Sequence, residues 1–286
     1  MERKIALIGF GEAARAFATG HARDFALSAY DLKTGPEMNA ALAEAGVAGA
    51  GRPEEALAGV AAALSLVTAD QALAAARDYA SHLPSGALWL DMNSVAPETK
   101  SAAAAAIEGN GGRYVDVAVM APVHPAGRGV PLLASGPHAG AAAALLQAMG
   151  FTQVRVIEGS IGAASAVKMI RSVVVKGIEA LTAECMLAAE AAGVRDEVLA
   201  SLDASERGRS WAERANYNLD RMLVHGVRRA AEMEEAARTL EALGIEPAMT
   251  RGTIRRQREI GAIGQTAPEG IDAKLGLILD RKAKAA

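Results

Sequence analysis

The sequence GSIGAASAVKMIRSVVVKGIEALTAECMLAAEAAG, at residues 159–193, predicts one long helix around which the rest of the chain is arranged. It contains no proline and most of its residues favour helix, so it would extend for about 45 Å at 1.5 Å per residue. Helices of this length need support from more than one neighbour. The segment therefore predicts a helix that joins two parts of the molecule.

Polar and apolar side chains of this helix are expected on different faces. One polar stripe is formed by Ser165, Lys168, Arg171, Ser172, Lys176 and Glu179. Apolar residues such as Ile170, Val174 and Ile178 point elsewhere, so we expect most of the helix to be buried. Because amines are costly in a core without partners, the polar stripe should line a cleft. We interpret it as the wall of an active site.

The composition is that of an ordinary globular protein with enough residues for two domains. The chain has 286 residues, of which 51% are hydrophobic and 22% are charged. A net charge of −3 gives no electrostatic basis for binding nucleic acid or an anionic membrane. The longest uncharged stretch, residues 129–154, contains prolines and a histidine, which argues against a membrane span. We expect a small molecule as the partner.

The N-terminal sequence and the cysteine content both favour a cytoplasmic protein. The first residues lead directly into a short apolar run, without the long hydrophobic region and cleavage site of a secretory signal. The single cysteine, Cys185, excludes an internal disulfide framework and a cysteine-based metal cluster. We expect Cys185 to be a buried packing residue, and we predict no metal site.

A glycine-rich turn near the N-terminus predicts dinucleotide binding. Residues 4–9 form a short apolar run that continues through Gly-x-Gly-x-x-Ala into a helical segment. The first glycine permits a tight turn, the second lets the backbone approach a pyrophosphate, and the alanine lets helix pack on strand. Unpaired N–H groups at the start of the helix favour an anion. The predicted cofactor contacts here are Gly9, Phe10, Gly11, Glu12, Ala13 and Ala14.

An acidic residue follows the second apolar run and bears on the choice of cofactor. Residues 25–30 end at Asp31, about 20 residues beyond the glycines, where a carboxylate accepts hydrogen bonds from the adenosine ribose. Asp31 favours NAD over NADP because it would repel a 2′-phosphate. Lys33 keeps NADP open, since it could bind that phosphate if Asp31 turned away. Asp31 could instead simply cap the next turn.

Alternating strand and helix patterns predict a doubly wound, mostly parallel α/β sheet, the Rossmann fold, over residues 1–158. Further strands are predicted at residues 61–68, 87–91, 114–120, 131–135 and 154–157. Intervening helices are predicted at residues 72–82, 97–107 and 139–149. In such sheets ligands bind beyond the carboxyl ends of the strands, where Thr68 and the turn at residues 91–94 are expected.

After the long helix of residues 159–193, the chain shows only helical patterns. They occupy residues 197–206, 211–223, 227–243 and 250–263, and residues 281–286 are predicted to be a frayed tail. We therefore predict an all-α C-terminal domain, residues 194–286, that serves substrate binding or dimerisation.

The arrangement resembles the 3-hydroxyacid dehydrogenase family, which includes 6-phosphogluconate and 3-hydroxyisobutyrate dehydrogenases, in a branch with a helical C-terminal domain of unknown function. Members share Gly-x-Gly-x-x-x-Lys at the start of the long helix; here Gly162 matches, Ala164 replaces the second glycine and Lys168 holds the lysine position. The turn DMNSVAP at residues 91–97 is similar to the family's Asp-x-Ser-Thr-x-x-Pro turn beside the nicotinamide. The resemblance implies that Lys168 is a general acid/base and that Ser94 lies in the cofactor site.

Two departures from the family pattern affect the substrate. Where the family has asparagine one turn after the lysine, this chain has Ser172 beside Arg171, and the family's Ser-Gly-Gly loop is replaced by Ala-Pro-Val at residues 121–123. The resemblance therefore does not identify the substrate. Predicted substrate contacts are Asn93, Val123, Arg171, Ser172 and Lys176.

Several side chains keep more than one interpretation. Arg171 and Lys176 would disfavour the charged form of Lys168, and either could instead bind a substrate carboxylate. Lys168 itself could form a structural ion pair, for example with Glu179. The histidines at positions 124 and 225, His124 and His225, titrate near neutrality and are either catalytic or packing residues.

The leading hypothesis is an NAD(P)-dependent oxidoreductase that transfers hydride between nicotinamide and a 3-hydroxyacid-type alcohol, or its ketone or aldehyde. Lys168 would serve as general acid/base. An imine reductase-like enzyme is one alternative, and a nucleotide-sensing protein without catalysis is another. The long helix and the family likeness predict a homodimer.

Overall fold

The computed structural model describes residues 3–20, 24–205, 208, 211–242, 244–264 and 266–283. The chain divides into two compact units, Met1–Val173 and Val174–Ala286. The division lies inside the long helix predicted from the sequence.

An eight-stranded sheet forms the centre of the first unit. Its strands are β1 (Arg3–Ile8), β2 (Phe25–Tyr30), β3 (Ala48–Gly49), β4 (Ala62–Ser65), β5 (Leu88–Asp91), β6 (Arg113–Val119), β7 (Leu132–Ser135) and β8 (Val154–Val156). Their order is β3-β2-β1-β4-β5-β6-β7-β8. Neighbouring strands are parallel except β6 and β7, which are antiparallel. This confirms the predicted Rossmann-type sheet.

Helices cover both faces of this sheet. They are α1 (Glu12–Ala18), α2 (Pro36–Ala45), α3 (Pro53–Leu57), α4 (Ala72–Tyr79), α5 (Pro97–Gly109) and α6 (Ala139–Ala148). Because side chains alternate along a strand, Ile5 and Leu7 enter one buried cluster and Ala6 and Ile8 enter the other. The sequence pattern did not predict α2, β3 and α3; α2 and β3 are mostly exposed, whereas Ala56 and Leu57 of α3 are buried.

The rest of the chain is helical, as predicted. The helices are α7 (Ala163–Ala191), α8 (Arg195–Ser205), α9 (Trp211–Ala242), α10 (Ala248–Gly261) and α11 (Ile271–Ala283). The prediction of a frayed tail from residue 281 is wrong for residues 281–283, which belong to α11; residues 284–286 lie outside the described part. No helix in the described part of the chain has both the length and the apolar character that a membrane crossing requires.

The predicted break between residues 223 and 227 is also wrong, because α9 is one helix of 32 residues. Gly226 lies inside it and packs against α10. A Cβ atom on Gly226 would lie 2.4 Å from the Gln257 carbonyl oxygen and 2.8 Å from the Gly261 Cα. The glycine thus permits backbone-to-backbone contact between two helices, and it does not end either one.

This contact predicts opposite effects of alanine at two helical glycines. Gly226→Ala should lower the free energy of unfolding by about 1–3 kcal/mol, because the backbone of α10 must move away. Gly252→Ala in α10 should raise it by about 0.5–1 kcal/mol, since no atom lies within 4 Å of the added Cβ and alanine favours helix. Urea unfolding followed by helical circular dichroism measures both. Equal shifts for the two variants would contradict the packing assignment.

Helix α7 is more exposed in the single chain than predicted. Its ends are covered, with Ala164 and Ser165 buried at the start and Ala188 and Ala189 near the close. Large apolar side chains between them are exposed, Ile170 by 71%. These side chains, which we call the α7 stripe, share one face of the helix: Val167, Ile170, Val174, Ile178 and Leu181. Among the α7 side chains that the structure describes, fewer are buried than exposed or half-buried, contrary to the prediction, and Cys185 is half-buried.

Candidate cofactor and catalytic site

The glycine turn has the geometry that its sequence predicts. Gly9 has a φ of +88°, and a Cβ atom there would lie 2.7 Å from the Leu66 carbonyl oxygen, so only glycine fits. Gly11 has no atom within 4 Å of an added Cβ, which leaves open space beside its backbone. Ala14 is fully buried between α1 and the sheet. One glycine thus makes the turn, and the other leaves room for a ligand.

A cavity of about 660 Å³ lies at the carboxyl ends of β1, β2 and β4. This volume is within the range of about 300–1,000 Å³ that is usual for ligand pockets. Seven of the predicted cofactor contacts line it: Gly9, Phe10, Gly11, Glu12, Asp31, Lys33 and Thr68. Ala13, Ala14 and Ser94 are not among the lining residues. The glycine turn and the acidic residue after β2 are therefore brought together around one space.

Asp31 ties the glycine turn to the loop after β2. Its Oδ2 accepts a hydrogen bond from Phe10 N at 2.6 Å, and its Oδ1 accepts one from Lys33 N at 2.7 Å. The capping role that we considered for Asp31 is thus present. Each carboxylate oxygen retains a second lone pair, so the side chain can also accept ribose hydroxyls.

The predicted catalytic lysine contacts the turn that follows β5. Lys168 Nζ donates a hydrogen bond to Ser94 Oγ at 2.5 Å, across 74 residues of sequence. Arg171, one helical turn further along α7, donates from Nη1 to the Met120 carbonyl oxygen at 3.5 Å, just after β6. Lys168, Ser94 and Arg171 are therefore gathered near the carboxyl ends of two adjacent strands.

Asn93, the residue before Ser94, is buried. Its Nδ2 donates to Ser65 Oγ at 2.9 Å and to Asp91 Oδ1 at 2.7 Å. Because a carboxylate only accepts, Asp91 fixes the orientation of the Asn93 amide. Asn93 Oδ1 has no hydrogen-bond partner among the described residues. This buried acceptor suits a ligand that offers an N–H or O–H group, such as a carboxamide or an alcohol.

Other predicted residues are placed as follows. Val123 is partly buried and packs against a core cluster of the sheet. His124 Nε2 lies 4.0 Å from Glu12 Oε1, with both side chains exposed, so this loop reaches the glycine turn. His225 lies in α9 and is half-buried. The side chains of Ser172, Lys176 and Glu179 lie outside the described part, and the roles predicted for these residues stay predictions.

One buried charge beside the site was missed by the sequence analysis. Lys100 is fully buried, and its Nζ donates to Asp91 Oδ1 at 2.9 Å and to the Asp91 carbonyl oxygen at 2.7 Å. Tyr114 OH donates to Asp91 Oδ2 at 2.6 Å. Burial and the Asp91 carboxylate raise the pKa of Tyr114 far above its ordinary value, so it donates as a neutral phenol. A signal existed, because Lys100 shares a helical face with Ala103, Ala104 and Ile107.

The glycine turn, the cavity at the strand ends and the carboxylate after β2 define a dinucleotide-binding Rossmann domain. Residues 4–160 match the NAD binding domain of 6-phosphogluconate dehydrogenase, and this match covers more than half of the chain. The chain therefore belongs to that family of NAD-binding oxidoreductases, which confirms the resemblance noted from its motifs. Residues 189–260 match a domain of unknown function, DUF1932.

Solved structures show the same architecture over nearly the whole chain. A conserved hypothetical protein from Sinorhizobium meliloti 1021 is 37% identical, with a TM-score of 0.61 and coverage of 98% of this chain and 97% of that one. A conserved protein of unknown function, described as structurally similar to 3-hydroxyacid dehydrogenases, is 29% identical, with a TM-score of 0.59 and coverage of 96% and 99%. An imine reductase from Pseudomonas sp. is 18% identical, with a TM-score of 0.73 and coverage of 98% and 100%, and shares the fold.

Proposed function

We propose that this protein is an NAD-dependent oxidoreductase that interconverts a 3-hydroxyacid-type alcohol and its ketone or aldehyde, with Lys168 as general acid/base. The observation that carries the proposal is the hydrogen bond from Lys168 Nζ to Ser94 Oγ. It brings an amine from the long helix to the turn that the family resemblance puts beside the nicotinamide. An amine that is held at a strand end can exchange a proton with a bound alcohol.

The bound nicotinamide would supply the hydride acceptor in oxidation and the hydride donor in reduction. Lys168 would remove the hydroxyl proton during oxidation and return it during reduction. Ser94 Oγ accepts its hydrogen bond from the amine, so its own O–H can donate to a substrate oxygen. Ser94 thereby orients both the lysine and the reacting oxygen.

A carboxylate on the substrate would suit the exposed Arg171 guanidinium. Its contact with the Met120 carbonyl is long, at 3.5 Å, so a carboxylate could replace it with a shorter, charge-assisted pair. We also retain Ser172 and Lys176 as proposed substrate contacts, because they follow on the same helix. These side chains support a small acid over a neutral imine.

The proposal is tested by following nicotinamide absorbance with a panel of short 3-hydroxyacids and a panel of cyclic imines. We expect hydroxyacid-dependent reduction of NAD, because the Lys168 amine can deprotonate an alcohol. We expect no turnover of imines, because their reduction does not need a base at this position. Imine reduction without hydroxyacid oxidation would favour the imine reductase alternative. Tight NADH binding without turnover of either panel would favour a nucleotide sensor.

We propose that the cofactor is NAD in preference to NADP, because Asp31 is fixed at the rim of the cavity by two backbone hydrogen bonds. Asp31→Asn keeps the shape and should reduce the NADH preference by at least about tenfold, since opposing like charges costs on the order of 1.4 kcal/mol or more. Lys33→Ala is the matched control and should leave NADH affinity unchanged. Dissociation constants for NADH and NADPH from nicotinamide fluorescence measure the effect, and an unchanged ratio in Asp31→Asn would contradict it.

We also propose that the protein is a homodimer in which the α7 stripe is covered by a second copy. The five large apolar side chains of the α7 stripe lie next to one another on one helical face and are exposed. Single exposed apolar residues are common on protein surfaces, but a contiguous patch of them marks an interaction site. A self-complementary contact along a helix is a common way to bury such a face.

A further inference from the structure

The start of α7 is held by side chains from the sheet. Ala164 N donates to Ser135 Oγ at 3.0 Å, and Ser165 N donates to Asp116 Oδ2 at 2.9 Å. Ser165 Oγ also donates to Asp116 Oδ1 at 2.6 Å. The first N–H groups of a helix have no partners within it, and here β6 and β7 supply those partners. Gly162, just before α7, packs closely against the start of α5, because an added Cβ there would lie 3.0 Å from Pro97 Cβ.

Lys100 links this helix start to the turn that carries Ser94. Its Nζ lies 2.9 Å from Asp91 Oδ1 and 3.5 Å from Asp116 Oδ1. Asp91 Oδ1 in turn accepts hydrogen bonds from Asn93 N and Asn93 Nδ2, which shape the turn. One ammonium group therefore lies between the carboxylate that holds the Asn93–Ser94 turn and the carboxylate that holds α7.

The charges of Lys100, Asp91 and Asp116 complement the N-terminus of α7. Lys100, Asp91 and Asp116 are all fully buried, so two carboxylates share one ammonium group. The N-terminus of a helix carries partial positive charge, which offsets the remaining negative charge when α7 is in place. Lys168 follows Ser165 by about one helical turn, so the position of Asp116 sets the position of the amine.

We propose that Asp116 and Lys100 are positioning residues that hold the Lys168 amine against Ser94. The proposal rests on the function proposed for Lys168. The two residues would not touch the substrate or the cofactor. They would act by fixing the two backbone segments whose side chains meet at the hydrogen bond between Lys168 and Ser94.

Asp116→Asn and Ser165→Ala test the proposal. Asp116→Asn removes the charge while keeping the shape, and it should lower kcat by about 100-fold, as misplacement of a reacting group by about 1 Å can do. The KM for NAD should not change, because the cavity at the glycine turn is lined by other residues. Ser165→Ala should also lower kcat. Ser165→Thr should keep a kcat close to that of the wild type, since threonine keeps the hydroxyl group.

Ile107→Ala is the matched control, because Ile107 lies in α5 with Lys100 and is fully buried, but its side chain is apolar and takes no part in the hydrogen bonds around Lys100. It should lower the melting temperature without lowering kcat below that temperature. Equal losses of kcat in Ile107→Ala and in Asp116→Asn would overturn the proposal, and so would an unchanged kcat in Ser165→Ala. If Asp116→Asn does not fold, the comparison of Ser165→Ala with Ser165→Thr decides.

A second readout separates this proposal from the proposed function. The rate at which acetic anhydride acetylates Lys168 is measured by mass spectrometry and divided by the rate at the exposed Lys33. We expect this ratio to rise in Asp116→Asn and to stay the same in Ile107→Ala, whether or not a substrate is known. An unchanged ratio in Asp116→Asn would overturn the positioning role, and a wild-type enzyme without turnover would overturn only the proposed function.

Discussion

Lys168→Met is expected to lower kcat by about 10²–10⁴-fold while leaving the dissociation constant for NADH unchanged. Methionine keeps a long, flexible side chain but has no proton to exchange. Lys168 does not line the 660 Å³ cavity at the glycine turn, so cofactor affinity should not depend on it. Stopped-flow or steady-state absorbance with the best hydroxyacid gives kcat, and nicotinamide fluorescence gives the affinity.

Two further variants control for charge and for the hydrogen bond. Lys33→Met removes an amine from the rim of the cavity and should keep kcat. Ser94→Ala removes the acceptor of the Lys168 hydrogen bond, so it should lower kcat, but less than loss of the amine does. If Lys168→Met turns over as fast as the wild type, this residue is not the general acid/base.

Gly11→Val and Gly9→Ala are expected to fail for different reasons. Gly11→Val adds atoms where no neighbour lies within 4 Å of a Cβ, so the protein should fold with an unchanged melting temperature. Its NADH affinity should fall by at least about 100-fold, or about 2.8 kcal/mol, because the valine fills the space beside the protein backbone that the cofactor pyrophosphate would occupy. Calorimetric titration with NADH measures this loss.

Gly9→Ala should destabilise the fold itself by about 1–3 kcal/mol. A Cβ at a φ of +88° is strained, and it would lie 2.7 Å from the Leu66 carbonyl oxygen. A Gly11→Val protein that binds NADH normally would place the cofactor elsewhere. A Gly9→Ala protein as stable as the wild type would mean that the turn is looser than its contacts indicate.

The features that the sequence predicts well are those encoded by short spacings. Gly9 and Gly11 follow a strand directly, and this spacing is typical of a turn in which the first glycine needs a positive φ and the second leaves space for a ligand. Asp31 is predicted by its distance from the glycines along the chain. The sheet follows from repeated apolar runs, which have few other interpretations in a chain that alternates strand and helix.

The features that the sequence does not predict depend on what meets across the fold. Gly226 looks like a helix end, because nothing local shows that Gly261 will pack against it. The helical face that Lys100 shares with buried alanines indicates burial, but the sequence does not identify its carboxylate partners, because they come from β5 and β6. Ile170 and its neighbours on α7 have the pattern of a buried face, but that pattern does not say whether the same chain covers them.

A crystal structure of the protein with NADH tests the central claim most directly. We predict that the adenosine lies beside Asp31 in the cavity at the glycine turn and that the nicotinamide lies beside Ser94 and the Lys168 amine. A nicotinamide ring directed away from Lys168, or NADH bound outside this cavity, would contradict the account.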